Sequence, residues 1–154
     1  EQAGAMLGLA TLVAAPGRIF WGWIASTWIR PRVLLIGLAV AMSFGAAAMG
    51  FFTPKWSETA VFIPLFIVSA TALSWHGILL AEVARLSPQA QVGRMTGGVL
   101  AFGTAGQITF PLIFGIGYLF GGYVGAFIAV ALPALVIAAA LARAEMTRDT
   151  SALP

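Results

Sequence analysis

The stretch Pro16–Arg32, PGRIFWGWIASTWIRPR, decides how the chain is read. It closes an apolar run, passes Trp21, Trp23 and Trp28, and ends on Arg30 and Arg32. Directly after it, Val33–Phe52 carries no charged residue. Indole rings suit the headgroup zone of a bilayer, half dry and half wet, and arginines collect in short cytoplasmic turns. The stretch therefore predicts a membrane boundary on the cytoplasmic side, with an apolar run of membrane length leaving it.

Composition extends that reading to the whole chain. Of 154 residues, 60% are hydrophobic and 8% charged, with mean hydropathy +0.98. A soluble domain carries about 25% charged residues, so membrane lipid is the expected surroundings. The pI of 10.2 would suit nucleic acid, but Arg30, Arg32, Arg85, Arg94, Arg143 and Arg148 all fall at predicted cytoplasmic ends. That is a topology signal, and nucleic acid is not an expected partner. With no Cys, disulfides and thiolate metal ligands are excluded. No basic segment leads into a short apolar one, so no signal peptide is expected.

A spanning helix needs about 20 apolar residues. The chain offers spans at 4–27, 33–52, 59–81, 95–120 and 123–142, the first interrupted by Pro16, Gly17 and Arg18. No charge occurs between Arg94 and Arg143. That interval suits two helices with Gly121-Gly122 as their turn. The turns alternate between Arg-rich and Arg-poor, with Lys55 in an Arg-poor one. Placing arginines inside puts the first span's N-terminus outside and the chain's C-terminus in the cytoplasm. The expected fold is all-α, a polytopic membrane bundle of five transmembrane helices.

Polar side chains separate the spans. The first holds Thr11, Arg18 and Ser26, the third Ser69, Thr71, Ser74 and His76, and the fourth Thr96, Thr104, Gln107 and Thr109. The second holds Ser43 alone and the fifth none. Lipid cannot satisfy a polar group, so such groups face protein or water. Spans one, three and four are expected to line an interior, and spans two and five to face lipid. Gly93/Gly97, Gly117/Gly121 and Gly121/Gly125 carry the GxxxG spacing of close helix packing and name no function.

Two stretches carry a resemblance. From Gly22 to Arg32 the chain resembles the loop G-x-x-x-D-R-x-G-x-R-R that joins second and third helices in each half of major facilitator superfamily carriers. Gly22 and Arg32 match, while Ser26, Thr27, Ile29 and Pro31 depart from the pattern. Leu79–Gly98, LLAEVARLSPQAQVGRMTGG, is similar to the stretch before the eleventh helix of such carriers. The resemblance implies helices eight to twelve of a twelve-helix secondary transporter. The five spans would belong to an incomplete six-helix half in the inner (plasma) membrane, and the missing N-terminal half would be a partner. In that family helices nine and twelve are peripheral, and eight, ten and eleven face the cavity. It also implies cytoplasmic gating by Gly22, Arg30, Arg32, Glu82 and Arg94. There the basic end of the loop engages an acid on the following inner helix, so Glu82 is expected on Arg30 or Arg32, with Arg85 and Arg94 as rivals.

The cavity candidates are His76, Gln107, Arg18, Ser69 and Trp75. Arg18 lies well inside its span, either as a cavity cation or as an arginine snorkelling to the interface. His76, the only histidine, can bind a small-molecule substrate, relay a proton or join two helices. Ser69 and His76 are seven residues apart and nearly eclipsed, and Thr96, Gly103 and Gln107 form a second stripe. His76 and Gln107 are expected to meet in one partly polar space, with Arg18 on its cytoplasmic side and Trp75 as an aromatic wall. No phosphate loop, metal-ligand cluster or Ser/His/Asp set occurs, so neither an enzyme nor a cofactor is expected. A non-transporting membrane scaffold and a membrane-embedded enzyme remain as alternatives, the latter with only Glu82 as an interfacial acid.

Overall fold

The computed structural model describes residues 14–151 together with Gly4, Gly8 and Leu12. The rest of the expected first span before Ala14, Thr11 included, lies outside the described residues, as does the side chain of Arg148. The described chain is all-α, with no strand among its residues. Helix α1 spans Ala14–Thr27, α2 Pro31–Met49, α3 Glu58–Ala72, α4 Trp75–Leu86 and α5 Val92–Ser151, with a 3-10 turn at Gln89–Gln91. Three helical stretches, Pro31–Met49, Thr59–Leu86 and Gln89–Thr147, are long and apolar enough to cross a membrane.

Local chemistry sets most of these ends. Pro31 opens α2, where its missing N–H would have been unpaired anyway. The Ser57 side chain caps α3 by accepting from the Ala60 N–H at 3.3 Å. Ser87 is extended ahead of Pro88, which stops α4. Within α5 the backbone leaves helical values at Gly121 (φ −144°, ψ 18°) and Gly122 (φ 58°, ψ −150°). Only glycine adopts that second conformation readily.

At this point α5 doubles back. An ideal Cβ on Gly117 would lie 2.8 Å from the Gly125 carbonyl oxygen, and one on Gly125 2.6 Å from that of Gly117. Phe114 and Phe127 also meet edge to face at 5.2 Å. In a straight helix Gly117 and Gly125 would be about 12 Å apart. The arms 92–120 and 123–151 are therefore antiparallel, and two glycines let their backbones touch. Gly93 and Gly97, with the same GxxxG spacing, have nothing within 4 Å of an added Cβ.

The expected third span, 59–81, is not one helix. It breaks at Leu73 and Ser74 and resumes to Leu86. Neither Gly nor Pro stands at the break. Instead α1 supplies donors to the carbonyls there: Trp21 Nε1 to Ala70 O at 2.9 Å and Arg18 Nε to Leu73 O at 3.0 Å. Gly17 lets α1 approach, since an ideal Cβ there would lie 2.9 Å from Ser74 Oγ.

Helix α2 sits at the centre of the bundle. Its Leu34 and Leu38 are buried with Ile78 of α4, and Trp21, Ile24 and Trp75 pack around them. An ideal Cβ on Gly45 would lie 2.8 Å from Val68 Cγ2 of α3, and one on Gly50, just past α2, 3.1 Å from Val124 Cα of α5. Small residues thus bring helices onto two sides of α2. Ser43, expected toward lipid, is 1% exposed and donates to Ala39 O at 2.7 Å. Polarity alone misjudged this helix, because close packing between apolar helices needs small residues rather than polar ones. The exterior is apolar: Leu119 and Phe120 are more than 80% exposed.

Candidate functional site

Between α2, α4 and both arms of α5 lies a cavity of about 730 Å³. Helix α4 contributes Trp75, His76 and Leu79, and the first arm of α5 contributes Phe102, Gly103, Gln107 and Phe110. Helix α2 adds Leu38 and Met42, and the second arm Pro133 and Ile137. A side recess of about 110 Å³ shares Trp75, His76, Gly103 and Gln107 and adds Thr104. His76 stacks on Trp75, ring centroids 4.0 Å apart and planes at 25°.

Of the five cavity candidates, His76, Gln107 and Trp75 line this space. Arg18 and Ser69 do not. Arg18 donates its Nε to the Leu73 carbonyl at the helix break. Ser69 is 6% exposed within α3. The stripe shared by Ser69 and His76 is cut by the break at 73–74, so spacing across it no longer fixes a common face. The expectation for the walls is also corrected. Spans two and five, represented by α2 and the second arm of α5, line the cavity, whereas no described residue of α1 does. The wall is accordingly more apolar than expected.

A charge cluster gathers at one end of the bundle. Glu82, 5% exposed, accepts from Arg32 Nε at 3.2 Å and from Arg85 through Nε and Nη2, both at 2.8 Å. Arg32 Nη1 also lies 3.8 Å from Glu145 Oε2, and Arg30 Nη1 3.6 Å from Glu145 Oε1. The five groups form a chain of alternating sign from Arg85 through Glu82, Arg32 and Glu145 to Arg30. Glu82 therefore holds its expected partner Arg32 and the rival Arg85 together. Arg94 is exposed and takes no part in these ion pairs, and Gly22 has nothing within 4 Å of an added Cβ. His76 lies six residues before Glu82, about 9 Å along α4.

Sequence reasoning missed Glu145, which lies just beyond the last expected span, 123–142. A signal was present. Ala131 and Ala138 are both buried, and Glu145 continues their seven-residue spacing along one face of the second arm. The tryptophan belt also divides. Trp23 and Trp28 are exposed and lie 5.7 Å apart, while Trp21 is half-buried against α3. Among the described residues no group of three or more His, Asp or Glu could hold a metal ion. No protein-family model, curated protein or solved structure matches the chain.

Proposed function

We propose that the chain is part of a secondary active membrane transporter of the major facilitator type, moving a small solute by alternating access. The carrying observation is that His76 and Gln107, from two helices, line one cavity of about 730 Å³ together with Trp75. Polar groups facing a shared space between apolar helices are what a solute pathway requires. In this reading α1, α2, the broken helix α3–α4 and the two arms of α5 are five spans of the plasma membrane, with the N-terminal end of α1 outside.

The charge cluster supports the reading. It collects Arg30, Arg32 and Arg85 at one end of the bundle, as the positive-inside rule expects of a cytoplasmic face. Its pairs link α2, α4 and the second arm of α5, so relative movement of these helices must break or exchange ion pairs. That is the property of a gate.

Flux in proteoliposomes tests the proposal. A carrier shows counterflow, in which internal unlabelled solute drives entry of labelled solute. His76→Ala and Gln107→Ala should raise the half-saturating concentration, whereas Thr109→Ala should not. Thr109 is exposed outside the cavity and bonds only within its own helix, to Ala105 O. Absence of counterflow for every solute class tried would leave a membrane scaffold.

A further inference from the structure

We propose that the cavity accepts an uncharged, ring-bearing lipophilic solute with one or two hydrogen-bonding groups, and excludes sugars and ions. This rests on the carrier reading of the same site and adds its solute class. Among the described residues no Asp, Glu, Lys or Arg lines the space. An ion entering it would lose its water without gaining a counter-charge, which the apolar wall makes prohibitive. A sugar presents a hydroxyl on almost every carbon, and His76 and Gln107 are too few to replace the water those groups give up.

What the wall does offer is specific. Phe102 and Phe110 from α5 and Leu38 from α2 provide apolar area. The Trp75–His76 stack presents a flat face on which a ring can pack. Neutral His can donate or accept, and Gln does both, so a carbonyl, hydroxyl or amide in the solute finds a partner. Arg18 does not line the space, and its Nε donates to Leu73 O.

Benzophenone is a suitable probe: uncharged, two-ringed, with one carbonyl acceptor and intrinsic photoreactivity. 4-Benzoylbenzoate adds only a carboxylate. With the full chain in nanodiscs, benzophenone should label the segments 75–79 and 102–110, and 4-benzoylbenzoate should not. Gly103→Leu should reduce that labelling. An added Cβ at Gly103 meets nothing within 4 Å, so the larger side chain has room to enter the cavity and take up part of it. The double variant His76→Leu/Gln107→Leu should cut labelling by about 3- to 10-fold, one or two neutral hydrogen bonds. Labelling by benzophenone at exposed Phe120 should stay constant across these variants.

Equal labelling by both compounds, or labelling indifferent to Gly103→Leu, overturns the proposal. The two levels separate cleanly. Counterflow of a charged solute with no benzophenone in the cavity removes the solute class and keeps the carrier. Cavity labelling as described, without counterflow of any solute, keeps the binding site and removes the carrier.

Discussion

Arg32 stands between two carboxylates, Glu82 at 3.2 Å and Glu145 at 3.8 Å, and neither acid depends on it alone. Glu82 is buried and holds Arg85 as well, while Glu145 is reached by Arg30. Removing Glu82 leaves the half-buried Arg32 guanidinium with only its longer contact. Glu82→Ala should therefore lower stability by about 1–3 kcal/mol, the scale of a lost hydrogen bond to a charged group. Arg85→Ala should cost much less, because Arg85 is water-exposed and its pairing is screened. Thermal unfolding in detergent compares the two, and an Arg85→Ala loss as large as that of Glu82→Ala would contradict this order. Charge reversal is more discriminating. In Glu82→Arg/Arg32→Glu the new arginine faces Arg85 and the new glutamate faces Glu145. Rescue by the second reversal should therefore be partial. Full rescue would mean that Arg85 and Glu145 do not share the cluster.

At the scale of elements, Gly122 carries the reversal of α5. Its φ of 58° with ψ of −150° is strained for any residue with a Cβ, whereas Gly121 at φ −144° is not. Gly122→Ala should destabilise by about 1–3 kcal/mol, and Gly121→Ala by far less. Circular dichroism melting distinguishes them, and equal midpoints would refute the backbone argument. This turn was legible in the sequence because Gly-Gly interrupts an uncharged stretch too long for one helix. The stop at Pro88 was legible for a similar local reason. The break at 73–74 was not, since its carbonyls are satisfied by Trp21 and Arg18 from another helix. The site divides in the same way. The stripe of α5 already placed Gly103 and Gln107 on one face. The positions of Arg18 and Ser69 depended on that unforeseen break. The central place of α2 depended on Gly45 and Gly50, whose absent side chains carry no hydropathy signal.

For the whole molecule, the carrier reading puts one end of the bundle in the cytoplasm, and the arrangement of charges lets one experiment test both the spans and their direction. Ion pairs gather Arg30, Arg32, Glu82, Arg85 and Glu145 at a single end. The 19 residues of α2 carry the chain about 28 Å from there, close to the thickness of a bilayer's hydrocarbon core. Lys55 follows at the opposite end. Gly50 packs against Val124 just after the Gly121-Gly122 turn, so that turn shares the Lys55 end. Single cysteines can be introduced without background because the chain has none. A membrane-impermeant maleimide applied to intact cells should label Cys substituted at Lys55 and at Tyr123. It should reach Cys substituted at Arg32, Arg94 or Arg143 only after the membrane is opened. Arg32 and Lys55 labelled from the same side would end the membrane-spanning reading of α2. Labelling of Arg32 alone in intact cells would keep the spans and invert them, placing the ion-pair cluster on the outer face, where a cytoplasmic gate cannot be.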